Sequence, residues 1–114
     1  MPINVLGVNH KSAPIDIREK LAFDKNSIPK ALSDLKKIDG VNEVVLISTC
    51  NRTEIYTENN SDNSKILHWL NINQNQTKDC GPYTYSYYND EAIKHLFSVT
   101  SAIDTIVIAE NKIM

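Results

Sequence analysis

The sequence contains few glycines and no long apolar run. Only three glycines occur among its 114 residues, Gly7, Gly40 and Gly81, and they form neither a G-x-G-x-x-G nor a G-x-x-x-x-G-K-[ST] motif. The Rossmann fingerprint and the P-loop are therefore excluded, and any nucleotide chemistry is expected from another domain or another chain. No stretch approaches the roughly 18 consecutive apolar residues of a membrane-spanning helix, so we expect no membrane span.

Cysteine and positive charge are also scarce. The two cysteines, Cys50 and Cys80, are too few for a disulfide framework and lack the spacing of metal ligands. Because of this spacing we expect no metal site. The first nine residues also do not resemble a signal peptide, so we expect a reducing, cytoplasmic location. Lys and Arg number 12 and Asp and Glu 14, a formal net charge of -2. This balance argues against a strongly basic nucleic-acid-binding module.

What is present is the composition of one folded domain. Hydrophobic residues make up 41% and charged residues 23% of the chain, close to ordinary globular usage. Apolar runs and period-2 alternation predict strands, and spacing of three and four predicts helices. The predicted strands cover residues 3–8, 43–49, 53–57 and 83–88. The predicted helices cover residues 15–23, 28–38 and 64–72, and a last helix begins at Asp90 with its apolar face formed by Ile93, Leu96, Phe97 and Thr100.

The order of these elements predicts an α+β fold. Taken as β-α-β-β-α-β, it matches the ferredoxin-like, split β-α-β pattern, with an additional C-terminal helix. Segment 43–49 contains a continuous apolar run, Val44 to Ile47, which indicates burial on both faces. Segment 103–108 is ambiguous between helix and strand. Because the chain stops at Met114 within an apolar pattern, we expect a fragment, or a domain whose last helix continues in a longer protein.

The residues T-C-N-R at 49–52 are the main candidates for chemistry. They follow the most apolar predicted strand, so Cys50 is expected in an exposed polar turn. A nearby guanidinium such as that of Arg52 favours the thiolate, which is the nucleophilic form of cysteine, and it also suits a substrate carboxylate. The alternative without a chemical role is that Cys50 packs as a small hydrophobic residue while Arg52 is a solvated surface residue.

Other chemically capable residues carry weaker signals. Cys80 lies in a polar segment and is expected to be an ordinary loop thiol. Among the histidines, His95 is the best candidate because it lies near polar residues on the last helix, but each histidine on its own fits a surface or core position better. Trp69 and the tyrosines near residue 85 have rings that stack on nucleic-acid bases, although their spacing fits a helix anchor and a strand better.

Three blocks of sequence resemble the family of glutamyl-tRNA reductases. Residues 7–23 read G-V-N-H-K-S-A-P-I-D-I-R-E-K-L-A-F and resemble its N-terminal signature. Residues 43–56 read E-V-V-L-I-S-T-C-N-R-T-E-I-Y and resemble its catalytic cysteine motif, which is the most specific block. Residues 92–113 resemble its third block. The resemblance implies that residues 1–114 are the N-terminal catalytic domain, which binds glutamate and supplies the nucleophile.

The resemblance also implies a reaction. The family reduces the glutamyl group of glutamyl-tRNA to glutamate-1-semialdehyde with NADPH, in tetrapyrrole (heme and porphyrin) biosynthesis. It implies that Cys50 forms a thioester with the glutamyl group and that His95 is required for activity. Substrate contacts are implied for Thr49, Asn51, Arg52, Thr105, Glu110, Asn111 and Lys112. NADPH binding and homodimerisation are expected from domains absent from this chain, so the chain alone is not expected to complete hydride transfer.

The chain departs from the family pattern in the third block. Ala102 and Ala109 stand where the family has glycine, Thr105 where it has serine, and Lys112 where it has glutamine. Thr105 keeps a hydroxyl group, whereas Lys112 adds a charge. Two alternatives therefore stay open beside the reductase: a thiol-dependent ester hydrolase built on Cys50, and a non-catalytic, ferredoxin-like regulatory or interaction domain.

Overall fold

The computed structural model describes residues 2–102 and 108–111, with side chains described through residue 101. It has a five-stranded sheet and four α-helices. The strands are β1 (Ile3–Asn9), β2 (Val41–Ser48), β3 (Arg52–Asn59), β4 (Tyr85–Tyr88) and β5 (Ile108–Asn111). The helices are α1 (Ile15–Leu21), α2 (Ile28–Lys36), α3 (Ser64–Asn73) and α4 (Asp90–Ala102), and a 3-10 turn covers Gly81–Tyr83.

The strands form one antiparallel sheet in the order β4-β1-β3-β2-β5. The α+β prediction is confirmed, and each predicted strand and helix is present with small shifts at its ends. The predicted strand at 83–88 is shorter, because its first residue belongs to the 3-10 turn. Of the ambiguous segment 103–108 only Ile108 is described, as the first residue of β5. Residues 1, 103–107 and 112–114 lie outside the described residues.

Helices cover both faces of the sheet. On one face, α1, α2 and α3 bury a core that includes Leu21, Leu35 and Ile66 against Leu46 and Ile55 of the sheet. On the other face, α4 contributes Ala92 to a smaller cluster with strand residues Val5, Ile47 and Tyr56. Apolar side chains of β2 enter both clusters, as its continuous apolar run predicts. No helix of the described part of the chain is long and apolar enough to cross a membrane.

The orientation of α4 differs from the sequence prediction. Its buried residues are Ala92 and Val99, with Leu96 half-buried, whereas Ile93 is 38% and Phe97 69% exposed. Residues 92, 96 and 99 share one helical face, so the helix presents a small alanine to the sheet. The prediction of Ile93, Phe97 and Thr100 as the buried face is therefore wrong. In the observed orientation His95 reaches the sheet surface, where it meets a buried carboxyl group.

Candidate active site

The turn between β2 and β3 carries Cys50. Thr49 closes this turn, because its N–H donates to the carbonyl oxygen of Arg52 at 2.8 Å. The Thr49 hydroxyl oxygen accepts hydrogen bonds from the backbone N–H groups of Asn51 and Arg52, each with an N–O distance of 3.2 Å. Such side-chain bonds hold a polar turn in one conformation. The Cys50 thiol is free and exposed, so it is accessible to a reactant. The turn is polar and exposed, as the sequence predicted.

Arg18 of α1 supports the same turn from the side. Its Nη1 donates to the carbonyl oxygen of Cys50 at 3.4 Å. The sequence pattern indicated Arg52 as the nearby positive charge and did not indicate Arg18. Because α1 lies within the first resembling block, residues 7–23, this contact joins that block to the turn of the second block.

A buried carboxyl group, that of Glu54, organises the sheet surface beneath α4. Its side chain is 0% exposed. Tyr56 donates its hydroxyl to Glu54 Oε1 at 2.9 Å, and the Tyr85 hydroxyl donates to Oε2. His95 Nε2 also bonds Oε2, and Arg52 Nη1 lies 3.6 Å from that oxygen. A buried carboxylate is costly unless it is paired and hydrogen-bonded, and these four side chains meet that requirement.

The two tyrosines remain protonated donors. Burial, and then the charge of Glu54 and the hydrogen bond to it, raise the pKa of the Tyr56 and Tyr85 hydroxyls well above the usual value, while Arg52 opposes this effect. A raised tyrosine pKa means that the neutral form is favoured. Both hydroxyls therefore donate hydrogen bonds to the Glu54 oxygens over the whole physiological pH range.

The His95 side chain lies between the tyrosines of β4 and the Glu54 carboxylate. Its side chain is 18% exposed. Its ring packs edge-on against Tyr85, with centroids 5.3 Å apart, and at a tilt against Tyr87 at 4.8 Å. Arg52, whose side chain is 15% exposed, turns towards Glu54 rather than into solvent. The solvated alternative for Arg52 is therefore excluded.

A polar cavity of about 280 Å³ adjoins this cluster. Arg52 and His95 both line it, together with His10 and Lys11 from the loop after β1 and Ser98 from α4. Its lining combines cationic and hydroxyl groups, which suit a ligand with a carboxylate and further polar groups. Arg52 and His95 were predicted as separate candidates, and the fold brings them to one cavity.

Strand pairing brings the sequence blocks together. Asn9 of β1 lies opposite Arg52 of β3, and Gly7 lies opposite Glu54. Gly7 also lies opposite Tyr85 of β4. It therefore lies between Glu54 and Tyr85, whose side chains are hydrogen-bonded to each other. A Cβ atom at Gly7 would lie 2.9 Å from Glu54 Cγ and from Tyr85 Cζ. The missing side chain of Gly7 therefore makes room for the carboxylate cluster.

Other predicted site residues lie elsewhere. Glu110 and Asn111 belong to β5, where they pair with Val45 and Val44. Those positions are five and six residues before Cys50, or about 15–20 Å along the strand, so the structure does not bring Glu110 and Asn111 to the turn. Thr105 and Lys112 lie outside the described residues.

The second cysteine is distinct from the first. Cys80 is 3% exposed and belongs to the core under the helices. Burial, with a smaller effect of Asp79, raises the pKa of the Cys80 thiol. The loop location was predicted correctly, but the burial was not. Cys80 is thus an internal control for the exposed Cys50.

Sequence reasoning missed Glu54, Tyr56 and Tyr85 as members of the site. Glu54 lies in an alternating strand, where a charged residue normally faces solvent. The available signal was the spacing of two that puts Arg52, Glu54 and Tyr56 on one face of β3. Within the described part of the chain, no group of three or more His, Cys, Asp or Glu side chains is arranged to hold a metal ion.

Comparisons with known proteins agree with these blocks. The family model for "Glutamyl-tRNAGlu reductase, N-terminal domain" matches residues 6–114. The chain is 38% identical over 115 residues to a glutamyl-tRNA reductase of Shewanella oneidensis and 44% identical over 116 residues to one of Hydrogenovibrio crunogenus. In both cases the match covers 100% of this chain and 27% of the relative.

A solved structure has a similar fold. The glutamyl-tRNA reductase from Methanopyrus kandleri superposes with a TM-score of 0.63 at 24% sequence identity, over 90% of this chain and 23% of that chain. The chain therefore spans about a quarter of the length of the proteins that it matches. Because the family model covers nearly all of its residues, the chain belongs to the family of glutamyl-tRNA reductase N-terminal domains.

Proposed function

We propose that this chain is the catalytic domain of a glutamyl-tRNA reductase and takes the glutamyl group from glutamyl-tRNA onto Cys50. One observation carries the proposal: an exposed thiol lies in a turn of fixed conformation, and Arg52, two residues later, leads from that turn into a polar cavity shared with His95. Acyl transfer needs a nucleophile, a group that binds the substrate and a group that moves a proton, and the turn and the cavity supply side chains of these three kinds.

The first step is an acyl transfer at Cys50. The thiolate sulfur attacks the carbonyl carbon of the glutamyl ester and forms a carbon–sulfur bond. The ester carbon–oxygen bond then breaks, and the leaving ribose hydroxyl takes up a proton. The products are a thioester on Cys50 and free tRNA. Thr49 contributes by fixing the backbone of the turn, since its hydroxyl accepts two of the turn's N–H groups.

Arg52 and His95 have separate proposed roles. Arg52 binds the side-chain carboxylate of the glutamyl group, because a guanidinium pairs with a carboxylate through two parallel bonds. Its 3.6 Å separation from Glu54 is longer than a direct hydrogen bond, so its donors remain available to a ligand in the cavity. His95 moves a proton to or from the reacting oxygen, a role in which imidazole is effective near neutral pH.

Reduction of the thioester requires a hydride donor, for which we propose NADPH. The described residues do not fit this cofactor: the sheet is antiparallel throughout, and no glycine-rich strand–helix turn is present among them. We therefore place NADPH binding, like homodimerisation, in parts of the whole protein outside this chain. For that protein we propose an oxidoreductase of tetrapyrrole biosynthesis in the cytoplasm.

We further propose a ferredoxin-like topology for the domain. The order β4-β1-β3-β2 with α2 and α3 on one face supports it. The chain then adds α1 before α2, places α4 on the opposite face, and extends the sheet with β5.

One observation favours a second candidate function. Because Cys50 is exposed, water can reach a thioester formed on it, and the domain would then act as a thiol-dependent ester hydrolase. A non-catalytic regulatory or interaction domain predicts neither a retained acyl group nor its release.

Acid-quenched reactions with radiolabelled glutamyl-tRNA test these possibilities. Wild type is compared with Cys50→Ser and with Cys80→Ser as the matched control. The proposal expects label on wild type and Cys80→Ser but not on Cys50→Ser. Release of free glutamate that depends on Cys50, without retained label, supports the hydrolase. Neither label nor release in any variant contradicts the proposed acyl transfer.

A further inference from the structure

The Glu54 carboxylate gathers donors from three different elements. Arg52 and Tyr56 extend from β3 itself, Tyr85 extends from β4, and His95 extends from α4. Three of these side chains meet at a single oxygen, Oε2, while Tyr56 bonds Oε1. A fully buried acidic group in this position does not contact solvent, so its effect on the site passes through these four side chains.

The contact with His95 has a chemical consequence for the imidazole ring. A neutral ring carries its proton on one nitrogen and a lone pair on the other. Glu54 Oε2 is an acceptor, and its other close partners on that oxygen, Tyr85 and Arg52, are donors. A lone pair of Nε2 facing this oxygen would be repelled, whereas an Nε2–H group donates to it. The hydrogen bond of one ring nitrogen thus determines which nitrogen carries the proton.

The tyrosine rings restrict the alternatives. Tyr85 and Tyr87 both contact the His95 ring, with centroids 5.3 and 4.8 Å away. A 180° rotation about χ2, which would put Cε1 in the place of Nε2, would have to disturb these contacts as well as the bond to Glu54. Packing and hydrogen bonding therefore favour the same ring orientation.

We propose that Glu54 is a positioning residue that holds His95 in the Nε2–H tautomer and leaves Nδ1 as the ring's acceptor for proton transfer. This inference rests on the proposed acyl transfer and deepens it. Glu54 does not touch the reacting atoms, and it acts through His95. The same carboxylate balances the charge of Arg52 while leaving its guanidinium at a distance from which a substrate carboxylate can compete.

Two variants separate the acceptor from the charge. Glu54→Gln keeps a carbonyl oxygen that accepts a hydrogen bond from the Nε2–H group, and it keeps the side-chain volume. Glu54→Met removes both acceptor oxygens at similar size. Glu58→Gln is the matched control, because Glu58 lies on the same face of the same strand and forms no hydrogen bond or ion pair with His95 in the described part of the chain.

Nitrogen NMR of histidine-labelled protein reports the tautomer directly. His95→Gln identifies the signals of His95 among those of His10 and His68. We expect a protonated Nε2 and an unprotonated Nδ1 in wild type, Glu54→Gln and Glu58→Gln. In Glu54→Met we expect a mixture of tautomers. An amide correlation spectrum of each variant shows whether it is folded.

Single-turnover labelling of Cys50 from glutamyl-tRNA gives the functional readout. We expect Glu54→Met to slow acylation by about 100-fold, at the lower end of what proton transfer contributes, Glu54→Gln to recover part of the rate, and Glu58→Gln to match wild type. If Glu54 had a purely structural role, Glu54→Gln would not restore the tautomer and the acylation rate together.

The outcomes are distinguishable. A wild-type ring with an unprotonated Nε2, or one with both nitrogens protonated at neutral pH, overturns the inference, whether or not Glu54→Met folds. A folded Glu54→Met variant that keeps the wild-type tautomer also overturns it. The same holds if folded Glu54→Met loses this tautomer but its acylation rate stays within about twofold of wild type, far short of the expected loss. If wild type forms no acyl-enzyme, the proposed function fails, while the NMR measurement still decides whether Glu54 orients His95.

Discussion

Gly7 lies at the point where the first sequence block meets the carboxylate cluster. It pairs with Glu54 on one side and with Tyr85 on the other. An added methyl group would lie 2.9 Å from Glu54 Cγ and 2.9 Å from Tyr85 Cζ and Oη. Neither neighbour can move freely, since Glu54 is buried among four polar partners and the Tyr85 ring packs against His95 and Tyr87.

Gly7→Ala is therefore expected to destabilise the fold. Overpacking of a well-packed site costs about 1–3 kcal/mol. Removing a glycine from the unfolded chain offsets about 0.4–1 kcal/mol of this cost. The expected loss in the free energy of unfolding is about 1–2 kcal/mol, or a decrease in Tm of roughly 5–10 °C for a domain of this size.

Urea unfolding followed by circular dichroism measures this change, with Gly81→Ala as the matched control. A Cβ at Gly81 would lie 3.0 Å from an oxygen of Asp79 and 3.3 Å from Leu67 Cδ2. Asp79 is exposed, so its carboxylate can shift, although its Oδ1 accepts hydrogen bonds from Asn71 and from the Gly81 N–H. We expect a loss of at most about 1 kcal/mol, smaller than that of Gly7→Ala. A Gly7→Ala variant as stable as wild type would refute the argument that this glycine makes room for the cluster.

The buried tyrosines, the two cysteines and Arg18 can each be tested. Above pH about 10, stability should decrease, because the raised pKa of Tyr56 and Tyr85 lets the folded protein keep protons that the unfolded chain releases; below that pH the contribution is fully present. Chemical unfolding across this range should show a shallower decrease in the double variant Tyr56→Phe/Tyr85→Phe, and equal slopes would contradict the assignment. Iodoacetamide should modify Cys50 well before Cys80, which is buried and has a raised thiol pKa; peptide mass spectrometry measures both rates, and equal rates would count against the described burial. Arg18→Ala should lower the free energy of unfolding by about 1 kcal/mol, since it removes a bond to the Cys50 carbonyl, while the exposed Lys20→Ala should not; urea titrations compare the two, and matching midpoints would show that the contact contributes nothing.

Local sequence patterns predicted most of the elements. The apolar runs at 3–8 and 43–49 became β1 and β2, and the spacing of Ile28, Ala31, Leu32 and Leu35 became the buried face of α2. These features depend on neighbours within a few residues, so the sequence displays them directly. The exposed turn at Cys50 is of the same kind, because polar residues follow an apolar strand.

The orientation of α4 could not be predicted in this way. Its largest apolar side chain, Phe97, is 69% exposed, whereas Ala92 and Val99 are buried. Hydrophobicity alone would turn the helix towards Ile93 and Phe97. The observed orientation also serves the bond between His95 and Glu54, residues 41 positions apart in the chain.

The sequence by itself determined the α+β class, most element positions, the exposed cysteine turn and, by resemblance, the family. Only the tertiary structure decided that Glu54 is buried, that Tyr85 and His95 complete its hydrogen bonds, and that Arg52 turns towards it. The physical reason is that a charged residue on an alternating strand normally faces water. Whether it can be buried instead depends on donors that β4 and α4 supply from distant parts of the chain, and on the space that Gly7 leaves between the strands.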